Sequence, residues 1–290
     1  MGVWSVNIGG APLTLHAFDD ESNDLIRSML SSFVVKITDD KMRANIIDQP
    51  IISLRYANRL WKIHDADSNL TYDISAAGDA IYYLTDRIAY HVADRTADAH
   101  CLHAAAVVRG RKALLMPAVS GSGKSSFCAW LVSQGYRYLT DELVLLKPTG
   151  GVTGLRRPIQ IKPQGLEAIA NLLEKPEQIL AGQSANAISI ECLTGLAQEA
   201  RQIKSEYEPE ISGFVFPKYR PAAGFKFTKL PSAEAGLALM GCHVNFRNLE
   251  NGGFKELMTL VRSTPSYSLV YGGFSDLPEN FISQLDALLS

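Results

Sequence analysis

Ala118-Val119-Ser120-Gly121-Ser122-Gly123-Lys124-Ser125 is the stretch on which the fold turns. It matches the pattern G-x-x-x-x-G-K-[ST] at every fixed position but the first, where Ala118 replaces glycine. Small residues let the backbone close around an anion, and consecutive N–H groups then point inward as a nest. Ser120, Gly121, Ser122, Gly123, Lys124, Ser125 and Ser126 are the candidate cradle. Lys124 brings a cation for the outer phosphates, and the Ser125 hydroxyl suits a phosphate-bound Mg²⁺. The methyl of Ala118 requires a negative φ there.

The flanks agree with that reading. Lys112 to Pro117 is an apolar run of strand length. Ser125 to Gln134 carries Phe127, Trp130 and Leu131 at helical spacing, and Gly135 is a natural stop. Strand, glycine loop and helix follow in the order the motif demands.

Composition bounds the rest. With 290 residues, 47% apolar, the chain can bury a large core as one or two domains. A net charge of −2 gives no footprint for nucleic acid or an anionic membrane. Met1 to Gly10 lacks a basic stretch followed by an apolar one, so no signal peptide is expected. No apolar run reaches the length of a membrane helix. Cys101, Cys128, Cys192 and Cys242 are scattered without C-x-x-C, which fits free thiols and a cytoplasmic location. Cys101-x-His103 and Cys242-His243 do not match zinc-ligand spacing.

Residues 1–98 read as a separate α+β lobe. Strands are expected at Val3–Ile8, Ile51–Tyr56, Leu60–His64 and Leu70–Ile74, and helices at Asp24–Phe33 and Asp79–Arg95. Ile81, Leu84, Ile88 and Val92 form the apolar face of the longer helix. Tyr82, Tyr83, Tyr90 and His91 are read as packing between lobes.

The second lobe spans residues 99–290. Leu102–Val108 and Lys112–Met116 form a hairpin through Arg109-Gly110-Arg111, which brings His103 and Pro117 together. Tyr136–Thr140 is a strand that ends in Asp141-Glu142 before a fresh strand, Leu143–Leu146. Acidic residues after a phosphate-loop helix commonly serve the Mg²⁺ ion. Asp141, with the shorter side chain, fits the Mg²⁺ shell with Ser125; Glu142 reaches toward an incoming hydroxyl. Two readings of Arg156–Lys162 stay open, phosphate-facing cations or a charged edge strand. Pro217-Lys218-Tyr219-Arg220 is open between a phosphate or acidic-substrate contact and a surface turn. Leu166–Leu173, Ser232–Met240, Phe254–Val261 and Leu277–Leu289 read as helices, Ile211–Phe216 and Tyr267–Tyr271 as strands, and Pro176–Ala200 as a lid-like region.

On these residues the chain resembles the HPr kinase/phosphorylase group, and more closely the HPr-kinase-related kinases of type A. His103 precedes Lys124 by 21 positions (124 − 103), the separation found in HPr kinases. Asp141 and Glu142 follow Lys124 by 17 and 18 positions (141 − 124 and 142 − 124), where those kinases carry an Asp-Asp pair. Phe216–Arg220 and Tyr267–Gly272 also look like type A relatives. The likeness spans residues 80–290 and, more loosely, the N-terminal lobe. It implies an α/β, P-loop kinase core of the phosphoenolpyruvate-carboxykinase-like type. It further implies ATP and Mg²⁺, a serine-type hydroxyl on a peptide or protein acceptor, and catalytic roles for His103, Lys124, Asp141 and Glu142, with Glu142 as proton acceptor. Glu142 departs from the second Asp, and Glu167 matches a further metal carboxylate by position alone. Reverse phosphorylase activity and HPr as acceptor are not implied, while a homo-oligomer, typical of HPr kinases, stays open. A nucleotide-binding module without turnover and a small-molecule phosphotransferase on the same core are the rival readings.

Overall fold

The computed structural model describes residues 1–30, 34–37, 49–169, 188–190 and 208–289. The chain is mixed α/β and has two compact units, each with a mixed sheet. One unit is Met1–Arg95 with Arg156–Pro163 and the described part of Pro176–Gln202. The other is Thr96–Leu155 with the described parts of Gln164–Lys175 and Ile203–Ser290.

In the first unit β1 (Gly2–Ile8) and β2 (Ala11–Ala17) form a hairpin. Gly9 and Gly10, at φ 60 and 80, supply the left-handed backbone of its tight turn. The sequence reading did not anticipate β2. Helix α1 (Asp20–Leu30) starts earlier than expected because Asp19 Oδ1 accepts the Ser22 N–H at 2.7 Å, an N-cap. β3 (Val34–Lys36), β4 (Ile51–Ala57), β5 (Leu60–Asp65) and β6 (Leu70–Ile74) complete a sheet of order β3-β1-β2-β4-β5-β6. Asn58 and Arg59, both at positive φ, close the β4–β5 turn. Helix α2 (Ala77–Arg95) lies against β2 and β5, burying Ile81, Leu84, Ile88 and Val92. The paired aromatics of α2 find partners inside this unit: Tyr83 stacks on Tyr72, and Arg87 lies over Tyr90.

The second unit holds β7 (His100–Arg109), β8 (Lys112–Pro117), α3 (Lys124–Ser133), β9 (Arg137–Thr140), β10 (Leu143–Leu146) and β11 (Val152–Gly154). After these come β14 (Glu210–Tyr219), β15 (Lys226–Lys229), α5 (Ser232–Met240), α6 (Phe254–Ser263), β16 (Ser266–Tyr271) and α7 (Phe281–Asp286). The sheet order is β11-β10-β7-β8-β14-β16-β15, and β9 also pairs with β7. β8, β14 and β16 run parallel, so their C-terminal ends lie at one edge of the sheet. One face is an apolar core that joins Leu102, Leu115 and Phe214 to Leu239 of α5 and Leu257 and Val261 of α6. The other carries α3, whose Phe127 meets Trp130, Tyr271 and Phe281.

β9 and β10 behave as one interrupted strand. Both pair antiparallel with β7, Thr140 opposite Ala106 and Leu143 opposite His103, and Asp141-Glu142 occupies the break. Glu142 O accepts the Ala104 N–H (3.2 Å), which pins the break to β7.

Three expectations need correction. The closing helix, expected over Leu277–Leu289, is the shorter α7 (Phe281–Asp286). In the Arg156–Lys162 segment Lys162 is exposed and Arg156 half-buried, but Arg157–Ile161 is enclosed, and the segment belongs to the first unit. β12 (Ile159–Ile161) is buried and pairs with β13 (Ile188–Ile190), while Arg157, 4% exposed, donates to Thr85 Oγ1 at 3.3 Å and bonds Gln160. The expected Leu166–Leu173 helix is described as α4 (Pro163–Ile169). Most of the lid-like stretch, and Cys192, lie outside the described residues.

Candidate active site

β8 delivers the chain into the glycine loop and α3 takes it away. Gly121 and Gly123 both sit at φ 85, where a side chain would be strained. Positive φ at described non-glycine residues is confined to Asn58, Arg59, Asn69, Ala222 and Asn251, so Ala118 keeps ordinary backbone. Tyr271 donates its hydroxyl to Gly123 O at 3.1 Å, and the Tyr219 N–H donates to Ser122 O at 2.8 Å. A Cβ on Gly123 would fall 2.5 Å from the Tyr271 hydroxyl and 2.8 Å from Tyr219 Cβ. β14 and β16 therefore back the loop from behind. Burial, aided by Tyr219, pushes the Tyr271 hydroxyl above its usual range, so it remains a donor.

The front of the loop is suited to an anion. Helix α3 has no side-chain cap at its start, so its first N–H groups look out of the helix end. The dipole adds positive potential at the same point. Ser122 Oγ, shielded from solvent, has no hydrogen-bond partner among the described residues. A phosphate oxygen would satisfy these donors. Ser120 and Gly121 are exposed, and Ser125 and Ser126 are half-buried on the first turn of α3.

Three of the sequence-derived residues converge. Lys124 Nζ lies 2.8 Å from His103 Nε2, and His103 Nδ1 lies 3.2 Å from Glu142 Oε1. The β7–β8 register, Ala104 opposite Pro117, brings His103 beside the loop. An ammonium has only donors, so Nε2 must accept. The imidazole proton then sits on Nδ1 and is donated to Glu142. The order is cation, neutral ring, carboxylate. Lys124 is 6% exposed, whereas the His103 and Glu142 side chains are 32% and 30% exposed.

Asp141 is the other carboxylate of the break between β9 and β10. It is 1% exposed, and its Oδ1 accepts the Tyr138 hydroxyl at 2.9 Å. Cys128 lies close to both Asp141 and Lys124. Burial and the Asp141 charge raise its thiol well above the usual range, with Lys124 opposing, so it is inert. Among the described residues no group of three His, Cys, Asp or Glu converges on a metal. Mg²⁺ does not require one, since a carboxylate, a hydroxyl, phosphate oxygens and water suffice. Asp141 and Ser125 both offer oxygen donors, the type Mg²⁺ takes. Glu167 is exposed on α4.

Among the described residues the two Cys-His pairs belong to no group of three metal-ligating side chains. Burial, the largest cause, pushes the Cys101 thiol up to about 12. His243 instead meets His100 (3.4 Å) and Asn245 (3.1 Å). Sequence reasoning did not single out Tyr138 or Tyr271 as supports of the site. A tyrosine in a strand has no signature beyond the partner that folding supplies. No family model matches this chain, and a comparison with curated proteins finds no match.

Proposed function

We propose that this chain is an ATP-dependent kinase with an HPr-kinase-like P-loop core, transferring the γ-phosphate to a serine-type hydroxyl of a peptide or protein. The observation that carries the reading is the chain from Lys124 through His103 to Glu142 at the mouth of an anion-ready loop. The loop amides and Ser122 would hold the phosphates. Lys124 has three N–H donors, so a bond to His103 is compatible with binding phosphate. Glu142 orients the acceptor hydroxyl. The oxygen of the acceptor hydroxyl bonds to the γ-phosphorus as the bridging P–O bond breaks. ADP leaves with that electron pair, and the hydroxyl proton passes to the Glu142 carboxylate. His103 keeps Glu142 in place through Nδ1–H. Ser125 and Asp141 would hold Mg²⁺, which supplies charge neutralisation at the phosphate oxygens.

Lys124→Ala tests the reading. ATP affinity and turnover should fall, with turnover lower by on the order of 10²–10³-fold. Unchanged affinity and turnover would overturn the phosphate-loop assignment. Incubating the parent with γ-labelled ATP, Mg²⁺ and a lysate would reveal which class of molecule becomes labelled.

A further inference from the structure

β15 is the last strand of its sheet, and its outer edge is unpaired among the described residues. Its register with β16 says which backbone groups face outward. The Leu230 N–H bonds Ser266 O, so 230/266 is a hydrogen-bonded pair. Pairs alternate along an antiparallel ladder. The N–H and C=O groups of Phe227 and Lys229 therefore point away from the sheet, a template for one more strand.

The charge around this edge is of one sign. From Ile211 to Ala233 the chain contains Lys218, Arg220, Lys226 and Lys229 and no carboxylate. All four cations are exposed. Lys218 and Lys226 both stand opposite Val270, one on each side of β16, and so share a face. Arg220 follows at the same end, its N–H bonded to Tyr271 O. None of them forms an ion pair among the described residues. Asp276 faces Gly272 and accepts the Ser275 hydroxyl at 3.3 Å, while Glu234 lies beyond the edge in α5.

The location matters as much as the charge. Lys218 and Lys226 lie at the C-terminal ends of the parallel strands, where the phosphate loop emerges. Three strand spacings separate β15 from β8, about 14 Å, or four residues of extended chain.

We propose that the acceptor is an acidic, extended peptide segment that adds to the free edge of β15. Lys218 and Lys226 hold its carboxylates, and its hydroxyl reaches the loop, four strand spacings or about 19 Å from the added strand, about six residues further on. This rests on the kinase reading, whose site it supplies with a partner. Backbone pairing gives affinity, and the uncompensated cations give preference for acid over neutral sequence.

The test is fluorescence anisotropy on the full chain without nucleotide, at 150 mM salt. Three labelled probes are used: a Ser-containing peptide flanked by glutamates, its glutamine counterpart, and a single-stranded oligonucleotide of equal charge. The acidic peptide should bind at least tenfold tighter than the glutamine peptide and the oligonucleotide. The Lys218→Gln/Lys226→Gln variant should lose about tenfold in peptide affinity while ATP affinity stays unchanged. Lys229→Pro removes an outward N–H and leaves the β16 bonds intact, so it should weaken peptide binding more than Lys229→Gln. Lys124→Ala should bind the peptide normally. A failed kinase reading would thus leave peptide binding standing, and the reverse holds for a failed docking proposal. Equal binding of acidic and neutral peptides, tighter binding of the oligonucleotide, or loss of ATP affinity in the double variant would each overturn the proposal. So would edge-to-edge dimerisation that the acidic peptide does not compete away.

Discussion

Each unit carries a cation, a histidine and a carboxylate in contact, and the two groups are built in opposite order. In the first unit the carboxylate is central. Both Asp65 oxygens lie 2.9 Å from His91 Nε2, and Arg87 Nη1 is 3.5 Å from Oδ2. The Asp65, His91 and Arg87 side chains are 0%, 3% and 11% exposed. In the second unit the ring is central, and Glu142 hangs at the outer end in partial contact with solvent. A central, enclosed carboxylate has its lone pairs committed and can only hold structure. A carboxylate in partial contact with solvent can be approached by an incoming hydroxyl. The order of the three groups and their exposure, rather than their identity, separate the enclosed cluster from the one proposed to act on substrate.

That contrast can be broken by exchange of phenotypes. The largest effect is expected for Glu142→Gln, which should lower phosphotransfer by roughly 10²–10⁴-fold while Mg²⁺-ATP affinity and melting temperature stay near the parent's. Phosphotransfer at the parent rate would remove Glu142 from the chemistry. Asp65→Ala should do the converse. Leaving Arg87 and His91 without their buried partner costs about 3–5 kcal/mol in denaturant unfolding, with ATP affinity of the folded fraction unchanged. An unaltered unfolding midpoint would sink the structural assignment. The pH dependence sharpens this. Burial alone would raise the Asp65 carboxyl, but bonds from Ser68 and His91 outweigh it and hold it below the usual range. Its stabilisation is therefore complete above the unfolded value of about 4 and is lost as pH falls through the lower folded value. Stability of the parent should drop over that acid window more steeply than that of Asp65→Ala, and parallel curves would contradict the shift. The smallest effect is expected for Tyr138→Phe. It removes a hydrogen bond to buried Asp141, worth about 1.5–3 kcal/mol for a charged acceptor. Activity should then need more Mg²⁺, and an unchanged Mg²⁺ titration would detach Asp141 from the metal.

Local chemistry with an unambiguous spacing could be read from the sequence. The strand, loop and helix around Gly121–Ser125 follow from small residues, an apolar run and a Gly stop, and Gly135 indeed sits at φ 87 beyond α3. The hairpin that carries His103 followed from Gly110 between two apolar strands. What stayed hidden depended on distant partners. β15 is four residues in a Pro-, Ala- and Gly-containing stretch and acquires strand character only by pairing with β16. Arg157 reads as a surface cation, yet Thr85 and Gln160 take its guanidinium inside the other unit. β2 was overlooked although Gly9-Gly10 marks its turn, because its apolar residues do not alternate cleanly.

The Tyr271 contact with Gly123 links residues 148 positions apart. On the ribosome, β8, the loop and α3 emerge first, while the strand that braces the loop is still to be made. At about 5–20 residues per second the loop waits roughly 7–30 s for its brace. During that interval Gly123 has neither the Tyr271 hydroxyl on its carbonyl nor the ring wall behind it, so phosphate-binding geometry is a late product of synthesis. Nucleotide binding should accordingly report completion of the β16 strand, and a nascent chain released before Tyr271 should fail to retain ATP even though every residue of its loop is present.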